Sequence, residues 1–296
     1  MSRPDAELGH RTYRALQRQA RGSGRPTAEL LQLYALEGFL ARLARSAHRD
    51  QLVLKGGMLL AALDARRPTR DIDLQAQRLR NDIATVRDAV DAVAAIELDD
   101  GLVYDTETTT AQAIREDDVD AGVRVSLDAG LATARLRLKV DVNVGDPIWP
   151  HPEDVELTPL LNEEPIRVRG YPLPMMDAEK IVTALQRGTA NTRWRDFADL
   201  SVLTSTHDHD AATLRGAIEA VATYRHASLQ PLAAPLEGYA ELAQDRWDAW
   251  RRKHQLDDRL PESFAELLDG VTAFADPVLG DPTFEATWHA RERTWH

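Results

Sequence analysis

Apolar and polar residues alternate most regularly across residues 134–145. There Leu136, Leu138, Val140, Val142 and Val144 interleave with Arg137, Lys139, Asp141 and Asn143. A period of two predicts a β-strand with one face in a core and the other polar. The short run Leu52-Val53-Leu54 predicts a buried strand that enters Lys55-Gly56-Gly57. Residues 58–63 have high helix propensity, and Arg66-Arg67-Pro68 predicts the end of that helix, since proline cannot continue it. From Thr69 to Leu74 a strand resumes. On it Asp71 and Asp73 share one face, while Ile72 and Leu74 point the other way.

Elsewhere the period is nearer 3.6 or absent. Thr27 is a good N-cap for an apolar helix reaching about residue 46, and a second amphipathic helix is expected over residues 79–95. Residues 99–120 look acidic and irregular, residues 122–127 predict a strand, and Gly130 is expected to turn the chain. Residues 166–168 form a last predicted strand before a rigid turn at Gly170-Tyr171-Pro172-Leu173-Pro174. Helices are then expected over 175–187, around 194–203, and over 211–223, 236–253 and 262–274. His207-Asp208-His209-Asp210 is expected to be a loop, with Asp210 capping the next helix. The whole predicts an α+β protein: a small mixed sheet with helices on its outer face in residues 1–170, and a mainly helical part in residues 171–296. Trp247, Trp250, Trp288 and Trp295 are expected to pack that helical part.

Composition narrows the setting. The chain has 296 residues, no cysteine and a formal net charge of −12. The missing cysteines exclude disulfides, thiolate metal sites and cysteine nucleophiles. No stretch approaches the ~20 apolar residues of a membrane span, and Met1-Ser2-Arg3-Pro4-Asp5 lacks the apolar region of a signal peptide. A cytoplasmic enzyme with no membrane contact is the expectation. The acidic total weighs against a general nucleic-acid binder. Arg11, Arg14, Arg18, Arg21 and Arg25, however, recur at helical spacing and make a basic stripe. It reads either as a solvated face or as a surface for RNA.

The chemistry concentrates between Lys55 and Asp73. A Gly-Gly pair at a helix start leaves backbone N–H groups free to hold a phosphate. Thirteen residues separate Gly57 from Asp71. Two carboxylates on one strand face, opposite a phosphate cradle, suit magnesium-dependent phosphoryl or nucleotidyl transfer. If the strand of Asp141 lies beside that of Asp73, Asp141 completes a carboxylate triad. The alternative is a solvated face with Asp141 paired to Lys139 or Arg137. Lys180, on the mostly buried side of its predicted helix, calls for an anionic partner.

Lys55-Gly56-Gly57, followed by Arg67, Thr69, Asp71, Ile72, Asp73 and Leu74, resembles the AbiEii/MenT nucleotidyltransferase toxins, within the DNA polymerase β-like nucleotidyltransferase superfamily. The resemblance covers roughly residues 52–203. It implies a polymerase β-like core and a toxin held in check by an antitoxin protein. It also implies transfer of a nucleoside monophosphate from an NTP, in some members onto the 3′ end of tRNA. It assigns Mg²⁺ (or Mn²⁺) to Asp71, Asp73 and Asp141, and general-base work to Asp141. Phosphate contacts fall to Lys55, Gly56, Gly57 and Arg70. The segments Tyr171-Pro172-Leu173 with Ala178-Glu179-Lys180, and Arg195-Asp196 with Asp199-Leu200, resemble later family motifs. These imply that Lys180 holds the triphosphate and that Asp196 is turned toward Lys180. Besides tRNA, a protein hydroxyl and a small molecule such as an aminoglycoside stay open as acceptors. A non-catalytic nucleotide-binding regulator also stays open. Thr69, beside the acids, is a point where modification could silence the site.

Overall fold

The computed structural model describes residues 6–63, 69–116, 120–145, 147–162, 164–254, 256 and 259–296. Two compact units divide the chain: residues 1–146 with 152–171, and residues 147–151 with 172–296.

In the first unit, in chain order, lie α1 (Ala6–Ser23), α2 (Thr27–Leu43), β1 (Leu52–Lys55), α3 (Gly56–Ala62), β2 (Ile72–Ala76), α4 (Ile83–Ala94), β3 (Leu102–Glu116), β4 (Asp120–Leu131), β5 (Ala134–Val144), β6 (Glu153–Leu157) and β7 (Ile166–Gly170). Among the described residues these strands form one mixed sheet in the order β3-β4-β5-β2-β1-β7-β6. β1 is antiparallel to β2 and parallel to β7, and β2 is parallel to β5. The helices of this unit and the mixed sheet make the fold α+β, as expected.

The apolar pattern explains which face is covered. Ile72, Leu74, Leu138, Val140 and Val142 are fully buried. On the same side Tyr104 donates to the Ala35 carbonyl of α2 (2.6 Å), and Gly38 is small enough for Leu102 and Tyr104 to close on α2. One charged side chain anchors this packing. Arg42, 1% exposed, donates to both oxygens of Asp100 (2.5 and 3.1 Å) and to the carbonyls of Ile96 and Gly38. Its guanidinium also lies over the Tyr104 ring. A buried charge is tolerated only when its hydrogen bonds are met in this way.

Several boundaries differ from expectation for local reasons. Thr27 is inside α2, and Pro26 is its N-cap without a side-chain hydrogen bond. α4 begins late, because the Asp82 carboxylate accepts from the Thr85 N–H and caps it there. Residues 102–116 are not irregular but form β3, a polar, threonine-rich strand at the sheet edge. Its chemistry suits an edge, where few side chains meet a core. Gly130 is inside β4, and the turn falls at Ala132 with φ +52°. β6 had no expectation attached to it. The predicted helix end at Arg66-Arg67-Pro68 lies outside the described residues. On α1, Gly9, Thr12, Leu16 and Ala20 face inward, while Arg11, Arg14, Arg18 and Arg21 are exposed; Arg25 pairs with Glu29.

In the second unit lie α5 (Leu173–Arg187), α6 (Trp194–Thr206), β8 (His209–Asp210), α7 (Ala211–Tyr224), α8 (Tyr239–Lys253), α9 (Phe264–Gly280), β9 (Thr287–His289) and β10 (Thr294–Trp295). Phe264 sits among Trp194, Phe197, Tyr239 and Trp247. Phe274 sits among His209, Trp288 and Trp295. Trp247, Trp288 and Trp295 thus pack this unit, as expected, while Trp250 is half-exposed and stacks on Trp247. Asp210 caps α7 by accepting from the Thr213 N–H (2.7 Å), but His209 departs from expectation. It is a buried residue on a short strand. Among the described residues no helix is long and apolar enough to cross a membrane.

Arg42→Met is expected to cost about 3–5 kcal/mol of stability, because Asp100 would stay behind uncompensated. Urea denaturation reads this, and a loss of less than about 1 kcal/mol would contradict the anchoring role.

Candidate active site

Strand register builds the site. Lys55 lies opposite Asp73, Asp73 beside Asp141, and Asp141 opposite Arg124. Four adjacent strands, β1, β2, β5 and β4, therefore present the row Lys55–Asp73–Asp141–Arg124 on one face. Neighbouring strands are ~4.8 Å apart, so the two carboxylates are direct neighbours. Like charges in that relation repel, and here a cation closes the row on each side. Arg124 grips Asp141 with two parallel hydrogen bonds, Nε to Oδ1 at 2.8 Å and Nη2 to Oδ2 at 2.6 Å. Lys55 is 9% exposed, with Nζ 5.5 Å from the centre of the Tyr171 ring, within cation–π reach. Asp141 is 6% exposed.

The glycine turn touches this row. Gly56 opens α3 with φ +65°, and a Cβ there would collide with the Asp73 carboxylate. Only glycine allows both the left-handed backbone and the close approach. The N–H groups of the first helical turn have no intrahelical acceptor, and this is where Gly56 and Gly57 stand. Asp71 lies one residue before β2. Thr69 Oγ1 donates to its Oδ1 at 3.2 Å, and Gln32 of α2 donates to the backbone carbonyls of Arg70 and Arg137, tying the strand starts together. The Arg70 side chain is exposed. Arg67 lies outside the described residues.

Asp73 and Asp141 are thus brought together, and Asp71 stands two positions along the same chain. Among the described residues no three His, Asp or Glu side chains are gathered as a ready metal cluster. The donor set nonetheless suits a hard divalent cation. Each carboxylate oxygen has spare lone pairs beyond an arginine hydrogen bond. Arg124 is the residue that sequence reasoning missed. Its alternation with Val123 and Val125 was visible, but its position opposite Asp141 is a matter of register. Asp141 pairs neither with Lys139 nor with Arg137; Arg137 bonds Asp128 instead, at 2.7 Å. A groove of about 1220 Å³, bordered by Tyr34, Arg42, Arg45 and Asp99, holds none of the predicted site residues.

The second unit carries the remaining candidates. Lys180 of α5 is 12% exposed, with Nζ 3.3 Å from Asp199 Oδ2 and 3.7 Å from Asp196 Oδ1. Arg193 Nε lies 2.7 Å from the other Asp196 oxygen. One helical turn before Lys180, Asp177 is fully buried, 3.4 Å from His209 Nδ1. Burial first, and Asp199 in addition, push the Asp177 carboxyl well above the usual carboxylate range, against the pull of Lys180. Burial lowers His209 to about 4.

Residues 38–284 match the family model for the nucleotidyl transferase AbiEii toxin of type IV toxin–antitoxin systems. The chain belongs to the AbiEii nucleotidyltransferase family. No curated protein matches this AbiEii-family chain. Two crystal structures from Helicobacter pylori resemble it. That of JHP933 is 15% identical with a TM-score of 0.45, covering 81% of this chain and 88% of that one. That of a candidate nucleotidyltransferase is 14% identical with a TM-score of 0.43, covering 82% and 89%. Family membership makes this AbiEii-family protein a nucleotidyltransferase.

In Gly56→Ala the Asp73 carboxylate must move, and displacements of about 1 Å cost on the order of 10²-fold in rate. Nucleotidyl transfer is expected to fall to that degree, while Gly22→Ala, which meets nothing within 4 Å, leaves it unchanged. Equal rates for the two variants would remove Gly56 from the site. A second expectation concerns pH. A carboxyl whose folded pKa is raised contributes stability below its unfolded pKa and loses it as pH rises toward the folded value. Asp177→Asn, an uncharged mimic of the protonated form, is therefore expected to gain stability relative to the parent between about pH 5 and pH 7.5. Denaturation midpoints at both values read it, and a difference independent of pH would contradict a buried, proton-holding Asp177.

Proposed function

We propose that this nucleotidyltransferase moves a nucleoside monophosphate from an NTP to an acceptor hydroxyl, with the 3′ end of an RNA of the tRNA class as acceptor. The observation that supports it is the row Lys55–Asp73–Asp141–Arg124 set against the Gly56 turn. Backbone N–H groups at Gly56 and Gly57 face phosphate oxygens, and Lys55 adds positive charge beside them. Asp141 takes the proton of the attacking hydroxyl, whose oxygen bonds the α-phosphorus as the bond to the β-phosphate oxygen breaks and pyrophosphate leaves. Arg124 orients the Asp141 carboxylate for that proton transfer. Asp71, Asp73 and Asp141 would hold a divalent cation, which would supply neutralisation of the charge that develops during transfer. Within the second unit, Asp196 and Asp199 hold the Lys180 ammonium in place, and the family resemblance implies a phosphate contact for that lysine. A cognate antitoxin is the proposed protein partner.

The test is incubation of the purified protein with magnesium and each α-labelled NTP, with and without total RNA. Label on RNA, with pyrophosphate released, is the expected result. Asp71→Ala and Asp73→Asn are expected to keep their circular dichroism spectra and to lose transfer by at least about 10³-fold. Label on protein alone would replace the RNA acceptor with a protein hydroxyl. Nucleotide binding without transfer would point to a regulator, and undiminished turnover in Asp73→Asn would overturn the assignment.

A further inference from the structure

β5 continues away from Asp141, and what it exposes has no role in the row described above. On the face of Asp141 its residues are Arg135, Arg137 and Lys139, all exposed. Leu138 and Val140 are buried on the opposite face. The β4–β5 register is unbroken from Gly122↔Asn143 to Leu131↔Ala134, so no bulge rotates these cations off the face. At ~3.3 Å per residue they stand about 6.6 Å apart along one line, a spacing of the same order as that between phosphates in an extended nucleic-acid strand. Across from Lys139 and Arg135 on β4 stand Ser126 and Gly130, small and neutral. Arg137 has Asp128 as a partner. Among the described residues no carboxylate pairs with Arg135 or Lys139.

Exposed lysines and arginines often protect an open strand edge. Over this stretch β4 is the only strand partner among the described residues, because β2 pairs with β5 from Val140 to Val144 alone. Gln32 of α2 donates to the Arg137 carbonyl on the other side, and the three cations stand on the sheet face rather than along that side. In a chain of net charge −12, a line of cations on the same sheet face as Asp141, running up to that carboxylate, asks for an anion. We infer that the exposed line Arg135–Arg137–Lys139 is a docking track for the sugar–phosphate backbone of a single-stranded nucleic acid, and that it leads the strand end toward Asp141. This rests on the proposal that Asp141 belongs to the transfer site, and it names the part of the acceptor that the protein holds. An acidic peptide fits less well. Its carboxylates lack a fixed repeat, whereas the track has one.

The experiment measures binding apart from transfer. Fluorescence anisotropy of a fluorescein-labelled oligouridylate, without NTP or metal, compares the parent with Arg135→Gln/Lys139→Gln and with Arg252→Gln/Lys253→Gln. The last pair is exposed at the end of α8 and makes the same change in charge. Loss of two phosphate contacts is expected to weaken binding about tenfold or more at low salt. The slope of log Kd against log salt should become shallower by roughly 1.4. The α8 variant is expected to bind like the parent. Unchanged binding in the β5 variant overturns the track. So does an equal loss in both variants, which is the signature of overall charge, and so does binding of labelled polyglutamate but not of the oligonucleotide. If the track variant loses RNA binding while the parent transfers nothing to RNA, docking stands and the transfer proposal fails. If the parent transfers to RNA and the β5 variant binds and reacts equally well, the track alone fails.

Discussion

Two negative charges side by side in a sheet are the constraint around which the first unit is arranged. Asp73 and Asp141 are register partners on parallel strands, a relation that repels unless positive charge answers it. Lys55 and Arg124 answer it from the next strand on either side. A slip of one residue at any of the three pairings would turn one member of the row into the core. Register is therefore what the chemistry depends on, and the other face secures it. Ile72, Leu74, Leu138, Val140 and Val142 are buried against helices, and any slip would place charges in that layer.

Backbone conformation adds the second restriction. The Asp73 carboxylate lies where the side chain of any other residue at position 56 would stand. The glycine turn and the carboxylate are thus not two motifs that happen to be near. They are one contact, formed by β1, α3 and β2 closing on each other. Thr69 and Gln32 fix the start of β2 from two further directions, holding the Asp71 carboxylate and the Arg70 backbone.

Much of this was legible in the order of residues. The alternation of 136–144 and the Gly-Gly to Asp-x-Asp spacing come from short-range geometry, and short-range geometry is what a sequence displays. Arg124 was not legible as a partner. It comes from a strand whose offset against β5 depends on where the turn falls, and Gly130 pointed to the wrong place for it. β3 was hidden for a different reason. Its threonines and acids satisfy an exposed edge strand and a loop equally well. His209 looked like part of a polar loop because the His and Asp around it are polar in sequence, yet it packs against the Phe274 ring and pairs with Trp288 of β9. Lys180 was legible as needing an anion, and Asp199 lies nearer to it than Asp196 does.

The central claim is that Asp73 and Asp141 act as one site for a divalent ion rather than as two separate acids. Calorimetric titration of Mn²⁺ into the parent, Asp73→Asn, Asp141→Asn and the double variant tests it most directly. The account predicts that each single change abolishes the tight binding event, and that the double change costs no more than either alone, as for residues sharing a partner. Full binding in either single variant, or losses that simply add, would contradict it.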